Sequence, residues 1–294
     1  MMQMKKLTIA VCLLMLSGPS FSQMEVHIYN APLGVASWEL QPSVFECSLS
    51  QLIPGYGKVG FYHQAGEELQ FRFVADNNVM RVGQVALGSI PPAWKHRVKQ
   101  RNLGYAQLND GPTAIVLDAP MAKKLMSELQ FGMTPEVVGA ADFDAEVEVK
   151  IQISPFKFAN VFGAYQQCIS HLLPINYAQI ERSSIAWKVN ASSLDADALT
   201  VLNNIVLYSN ADSRVYAFEI DSFTDTEGER MDNLRVSEQR AFLVRDYLIS
   251  QGIESTRIAT RAHGEREEYL LVANERSRAD RNRNRRVNIV VLRE

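Results

Sequence analysis

Apolar and polar residues alternate through much of the first half of the chain, and this alternation constrains the fold more than any other feature of the sequence. It is clearest at residues 69–73 and 147–153. Successive side chains of a β-strand point to opposite faces, so a period of two places the apolar groups on one face of a sheet. Turn signals such as Pro54-Gly55 separate the runs. We therefore predict a mostly antiparallel β domain over residues 23–154.

One helix is expected within this β domain, directly after Asp118. Asp118 is a good N-cap, Met121, Leu125 and Leu129 recur at helical spacing, and Gly132 can end the helix. Residues 155–180 are aromatic and irregular in pattern, and too apolar for a free linker. We expect them to form a connector that packs on one or both flanking domains.

Strands and helices alternate in the last part of the chain. The predicted strands lie at residues 185–189, 215–223 and 287–291 and around Ile258, and the predicted helices follow Asp195 and span residues 237–251. Ser237 is the expected N-cap of the second helix, and Gly252 is expected to close it. The order β-α-β-α-β-β predicts helices packed on one sheet over residues 181–294, and an α+β fold class for the whole chain.

The first 22 residues have the order of a secretory signal peptide. Lys5 and Lys6 precede an apolar run at residues 7–16, which is short for a membrane span of about 20 residues. We expect cleavage after Ser22; the alternative is an uncleaved membrane anchor. No later stretch is long and apolar enough to span a bilayer. The mature chain is therefore expected in the periplasm, without a transmembrane segment.

Charge and composition argue against several classes of function. Loss of the two signal-peptide lysines changes the formal net charge from −3 to −5, and an acidic chain does not attract nucleic acid. The arginine-rich segment at residues 276–286 is offset by nearby acidic residues. The histidines lack metal-ligand spacing and there is no glycine-rich phosphate loop. The sequence thus predicts a protein that is not an enzyme and needs no cofactor or metal.

Two cysteines, Cys47 and Cys168, remain once the signal peptide is removed. An even number of cysteines in a compartment that permits disulfides favours a bond between them. The alternative is two separate buried thiols.

One acidic and one basic residue in the last domain are candidates for a binding site. Asp225 follows the predicted strand at residues 215–223, and Arg240 falls in the first turn of the helix predicted to start at Ser237. A strand-end loop beside a helix start would place both charges near free backbone N–H groups. This suits a zwitterion, whose ammonium would meet Asp225 and whose carboxylate would meet Arg240. The alternative is an internal salt bridge between the two residues.

The order of motifs around these residues resembles the OmpA-like peptidoglycan-binding domain. The motifs are Phe223-Thr224-Asp225-x-x-Gly228, Asn233, Ser237-x-x-Arg240-Ala241, Tyr247-Leu248-x-x-x-Gly252-Ile253, Arg257, Gly264-Glu265 and Asn284-Arg285-Arg286-Val287. The resemblance implies that Asp225 and Arg240 bind the two ends of diaminopimelate in the peptide stem. It also places Thr224 and Asn233 in this site, with Asn190 as the binding residue after the first strand. The chain departs from the family at Ser222-Phe223, where the family has Gly-His, and at Lys188, where the family has an acidic residue.

The whole chain also resembles a family of periplasmic proteins of sodium-driven flagellar motors. In the first half the likeness is carried by Ala36-Ser37-Trp38 and by the Cys47 and Cys168 pair across the phenylalanine-rich connector. It implies a ring component of the flagellar basal body that binds peptidoglycan, partners MotX and helps to hold the PomA/PomB stator. The alternative is a general envelope-anchoring protein, unrelated to flagella, that shares only the wall-binding domain.

Overall fold

The computed structural model of the protein describes residues 25–189 and 191–294. The predicted signal peptide and Asn190 lie outside the described residues, so the cleavage after Ser22 and the role of Asn190 stay predictions. In the described ranges, no helix combines the length and the apolar character that crossing a membrane requires.

The strands of the first half of the chain form two five-stranded sheets. They are β1 (Val26–Tyr29), β2 (Trp38–Gln41), β3 (Glu46–Ile53), β4 (Gly57–Gln64), β5 (Gln70–Ala75), β6 (Gly83–Ile90), β7 (Arg101–Leu108), β8 (Thr113–Leu117), β9 (Thr134–Ala140) and β10 (Glu148–Gln152). The first sheet has the order β1-β10-β9-β6-β7 and the second has the order β2-β3-β4-β5-β8. Among these described strands, β1 and β10 pair in parallel and the other pairs are antiparallel. The prediction of a mostly antiparallel β fold is confirmed.

Helices α1 (Ala119–Gln130) and α2 (Phe158–Ser170) complete a single core that both sheets share. The cap of α1 is as predicted, because the Asp118 carboxylate accepts a hydrogen bond from the backbone N–H of Met121 at 3.1 Å. The expectation of an irregular connector is wrong for α2. Its Phe158, Tyr165 and Cys168 lie at helical spacing and are buried against the sheets, so the aromatic pattern is that of a packed helix.

Cys47 of β3 and Cys168 of α2 form a disulfide, with their Cα atoms 6.0 Å apart. The bond joins residues 121 positions apart in the sequence. It fixes α2 to the second sheet, and the prediction of this pairing is confirmed.

The last part of the chain forms a four-stranded sheet with two long helices packed on it. Its elements are α3 (Tyr177–Ile180), β11 (Arg182–Ala186), α4 (Ala196–Ala211), β12 (Val215–Phe223), α5 (Arg230–Ser250), β13 (Ile258–Gly264), α6 (Arg278–Asn284) and β14 (Arg286–Arg293). The sheet order is β11-β14-β12-β13, and β12 pairs with β13 in parallel. Leu202 of α4 and Val244 of α5 meet Ile220 of β12 in a second core. The predicted α+β class is confirmed, although the first strand of this sheet begins and ends three residues before its predicted position.

The short helix α3 contacts the first half of the chain as well as the second. Asn176 donates from Nδ2 to the Glu67 carboxylate at 2.9 Å, and Gln179 donates from Nε2 to the carbonyl of Gly66 at 3.2 Å. Gly66 has φ of +68°, and a Cβ there would approach the Gln179 Oε1 to 2.3 Å. The contact between the two halves therefore depends on a residue without a side chain at this turn.

Candidate functional site

Helix α5 begins two turns earlier than the sequence predicts, and this changes how Arg240 is placed. The helix starts at Arg230, so the prediction of Ser237 as its N-cap is wrong, and Arg240 lies in the third turn instead of the first. Ser237 is buried inside the helix, where its hydroxyl donates to the carbonyl of Leu234 at 2.7 Å and accepts from the backbone N–H of Gly264 at 3.1 Å. Arg240 is therefore positioned by packing of the helix on the sheet and not by a helix terminus.

Asn233 holds the loop that carries Asp225 against α5. Its Nδ2 donates to the carbonyl of Glu227 at 3.1 Å and lies 3.4 Å from the carbonyl of Asp225. The same amide donates to the carboxylate of Glu265 at 2.5 Å, which links the loop after β12 to the loop after β13. Asn233 thus lies in the predicted site, where its side chain holds the backbone of the Asp225 loop in place.

Thr224 lies at the end of β12 and is almost fully buried. Its backbone N–H donates to the carbonyl of Gly264 at 2.9 Å, which extends the pairing with β13 by one bond. Its hydroxyl is buried without a hydrogen-bond partner among the described residues. Such a group is uncommon in folded proteins and is characteristic of a site that a ligand or water completes.

Asp225 is paired with Arg285, not with Arg240. One guanidinium nitrogen of Arg285 donates to Oδ2 of Asp225, and the other terminal nitrogen donates to the side-chain oxygen of Asn282. The exposed fractions of Asp225 and Arg285 are 6% and 4%. Asp225 is therefore buried in an ion pair with Arg285, and the alternative of an internal salt bridge between Asp225 and Arg240 is wrong. Among the described residues, no donor is assigned to the second oxygen of Asp225.

Arg240 is buried, and some of its N–H groups have no hydrogen-bond acceptor among the described residues. Its exposed fraction is 7%, and its Nε and Nη1 have no acceptor among the described residues. The guanidinium lies over the ring of Trp187, with Cζ 5.6 Å from the ring centroid. The backbone N–H of Trp187 in turn donates to the carbonyl of Arg285 at 2.9 Å, so one residue contacts both arginines.

Arg240 also lines a cavity of about 330 Å³ between α5 and the segment at residues 191–192. Asp225 is not part of the lining of this cavity. The cavity therefore gives access to Arg240, whereas Asp225 does not border it.

The charges of Asp225, Arg240 and Arg285 together favour the binding of an anion. Burial lowers the pKa of the Arg240 guanidinium to about 10; Asp225 opposes this shift and Arg285 adds to it. Arg240 is thus charged at neutral pH, and the site holds two guanidinium groups for one carboxylate. Because an unfolded arginine holds its proton more tightly, the buried charge lowers stability below about pH 10, and this penalty fades as the pH rises toward 12.5. A bound carboxylate would relieve the same penalty at neutral pH.

Sequence reasoning identified Asp225, Arg240, Thr224 and Asn233 but gave no site role to Arg285 or Trp187. Arg285 belongs to the Asn284-Arg285-Arg286-Val287 motif, to which the sequence analysis gave no role in the site. The role of Arg285 depends on the antiparallel pairing of β14 with β12. This pairing brings Phe223 opposite Arg286 and so places the preceding residue, Arg285, beside Asp225. The Asn-Arg-Arg motif was the signal that the sequence offered, but only the register of the sheet shows that Arg285 pairs with Asp225.

Replacement of Asp225 by alanine is expected to destabilise the protein. The change leaves two buried guanidinium groups without a counter-charge, and breaking a buried pair in this way costs about 3–5 kcal/mol. Urea unfolding of the full chain measures the loss. The control is Asp246→Ala, an exposed residue of α5 paired with Arg245, for which a change below about 0.5 kcal/mol is expected. The double variant Asp225→Ala/Arg285→Met should regain most of the stability. A loss below about 1 kcal/mol for Asp225→Ala would contradict the pairing.

Comparison with known proteins divides the chain into two matches. A family model described as the MotY N-terminal domain matches residues 29–174, and the OmpA family model matches residues 187–285. Over 96% of its length the chain is 24% identical to the sodium-type flagellar protein MotY of Vibrio parahaemolyticus, of which it covers 95%.

Two further proteins match a smaller share of the chain. The peptidoglycan-associated lipoprotein of Mesorhizobium japonicum is 34% identical over 27% of the chain and 47% of the lipoprotein. The C-terminal domain of Helicobacter pylori MotB matches 38% of the chain and 85% of that structure, with 18% identity and a TM-score of 0.34.

Proposed function

Because the chain joins a MotY N-terminal domain to a domain of the OmpA family, we propose that it is a periplasmic component of a sodium-driven flagellar motor. In this proposal it forms part of a basal-body ring, binds peptidoglycan and helps to anchor the stator. The observation that carries the proposal is the similarity to MotY of Vibrio parahaemolyticus, which extends through both halves of the chain. Similarity to the lipoprotein alone would leave the first half without a role.

The second half supplies the wall-binding site. The proposed ligand is the diaminopimelate of the peptide stem, which carries an ammonium and a carboxylate at one end. The carboxylate would take the fork of Arg240 through the donors Nε and Nη1, and the ammonium would take the free oxygen of Asp225. Arg285 holds the Asp225 carboxylate in place, and Asn233 holds the loop. Asn190, which lies outside the described residues, remains a proposed contact of the ligand.

The mechanical role follows from how force is transmitted in the periplasm. A stator unit must push against a body that does not move, and the covalent wall provides one. Binding to a single peptide stem can be weak, because copies held together in a ring bind with a high effective concentration. The first half would dock on the basal body, with MotX and the PomA/PomB stator as the proposed partners.

Localisation in cells tests this function. A fluorescent fusion of the full chain is expected to form a polar spot in cells with basal bodies and to spread through the periplasm in cells without them. The first half of the chain including α2, residues 23–174, is expected to associate with purified basal bodies when it is expressed alone, since it keeps the whole first core and the disulfide. Association by residues 175–294 alone would reverse the proposed division of labour.

The second candidate is a general envelope anchor, favoured by the higher identity to the lipoprotein than to MotY. Deletion of the gene separates the two functions. Loss of swimming with an intact envelope supports the motor component, whereas normal swimming with a fragile envelope supports the general anchor.

A further inference from the structure

The outer face of the first sheet contains a buried carboxylate whose hydrogen-bond donors are neutral. Strands β10, β9 and β6 align Gln152 with Glu136 and Glu136 with Gly88. Glu136 is only 4% exposed, although it points away from the core that its neighbour Val137 enters. Its two oxygens accept hydrogen bonds from the side-chain amides of Gln100 at 3.2 Å and Gln152 at 3.1 Å. These donors are neutral, so the negative charge is oriented but not balanced.

The cations near Glu136 are already paired with other carboxylates. Arg101 donates to Glu128 at 2.7 Å, and Lys150 lies 3.0 Å from Glu148. Among the described residues, no salt bridge reaches Glu136. A buried anion without a counter-charge is unfavourable, so the site gains free energy from any cation that can enter it.

A cavity of about 480 Å³ lies directly beside this carboxylate. It is lined by Glu136, by the small residues Ala86 and Gly88, and by the ion-paired side chains of Arg101, Glu148 and Lys150. A Cβ at Gly88 would meet the Glu136 side chain at 3.5 Å, an ordinary contact distance, so the carboxylate packs closely over β6.

Exposed apolar side chains extend from the cavity in both directions across the sheet. The register places Ile28, Lys150, Val138, Ala86 and Tyr105 in one row over the five strands. Ile28 and Tyr105, at its two ends, are 54% and 63% exposed. A free small amine would fill the cavity but would leave these side chains in water. A ligand that enters the cavity and also covers Ile28 and Tyr105 carries a cation flanked by apolar residues.

We propose that this face docks a basic segment of a partner protein, whose lysine or arginine side chain enters the cavity and pairs with Glu136. The inference deepens the proposed function and rests on it in one respect, namely that the first half of the chain has a protein partner. The charge complementarity stands on Glu136 and its cavity alone.

The cavity is tested with ethylguanidinium as the probe and its neutral isostere ethylurea as the control. In NMR titrations of the full mature chain at constant ionic strength, ethylguanidinium is expected to shift the side-chain amide signals of Gln100 and Gln152 saturably, and ethylurea is not. Glu136→Gln should weaken this response about tenfold or more, since it removes the charge and keeps the shape. Glu39→Gln is the matched control and should retain it, because Glu39 is an exposed residue of β2 in the second sheet. Equal shifts with ethylurea, or an unchanged response in Glu136→Gln, would refute the cation site.

The docking step is tested with purified basal bodies from cells that lack this protein. Glu136→Gln should reduce binding of the full chain about tenfold or more, and Glu39→Gln should not. Ala86→Arg should abolish binding, because it places a resident guanidinium in the cavity. Thermal melting must show Glu136→Gln at least as stable as the wild type; a lower melting temperature would assign Glu136 to structure and overturn the inference.

Failures of the two proposals are distinguishable. If the wild-type protein does not bind to basal bodies, the proposed motor function is refuted. If the wild-type protein and Glu136→Gln bind basal bodies equally well, only the proposed docking face is refuted.

Discussion

Replacing Cys47 and Cys168 by alanine is expected to lower the free energy of unfolding by about 4 kcal/mol, since the disulfide closes a loop between residues 121 positions apart. The bond restricts the unfolded chain, and in the folded state it fastens α2 to β3. Phe158 and Tyr165 of α2 are fully buried in the first core, so loosening the helix exposes part of that core. The expected effect is therefore large and is centred on the first half of the chain.

Urea unfolding under two conditions measures this effect. Reduced wild-type protein and the double alanine variant both lack the bond, and their difference isolates the packing lost with the buried sulfur atoms. Oxidised and reduced wild type differ by the bond itself. Unfolding free energies that agree within about 1 kcal/mol between the oxidised and reduced protein would contradict the prediction.

Replacing Arg240 by methionine is expected to weaken sedimentation with purified sacculi about 10- to 100-fold, because it removes a charge-assisted fork worth about 1.5–3 kcal/mol. The same change should leave the stability within about 1 kcal/mol of the wild type. Arg240 is buried with two donors unpaired among the described residues, so its charge lowers stability in the free protein. Loss of binding without loss of stability is the signature of a residue kept for its ligand.

Arg245→Met is the matched control for this experiment. Arg245 lies on the same helix, faces solvent more than Arg240 and pairs with Asp246 at its surface. It should pellet with sacculi like the wild type. Undiminished pelleting of Arg240→Met would refute the wall-binding role of Arg240. This variant is a better test than Asp225→Ala, whose expected instability would reduce pelleting for reasons unrelated to the ligand.

Local patterns in the sequence were sufficient for elements whose identity depends on neighbours along the chain. Asp118 caps α1 as predicted, and the strand predicted at residues 215–223 is observed with the same bounds. These features depend on side-chain periodicity and on a cap that lies three residues from its donor. The cysteine pair could also be predicted, because counting in an oxidising compartment left one simple partner for each.

The misplaced start of α5 shows where such patterns fail. Ser237 has the chemistry of an N-cap, but its hydroxyl instead bonds within the helix and to Gly264 of a neighbouring strand. The two extra turns are held by Asn233, whose amide reaches the loop carbonyls and Glu265. These partners are 6 and 32 residues away in sequence, so no local propensity could reveal them.

The sequence by itself determined the fold class, the disulfide and the residue types of the candidate site. Only the tertiary structure decided which charges meet: Asp225 pairs with an arginine 60 positions away, and Arg240 stays unpaired over Trp187. The same is true of Glu136, whose strand pattern does not distinguish it from an ordinary surface residue. Periodicity assigns a side chain to a face, whereas burial and pairing depend on which strands become neighbours and in which register.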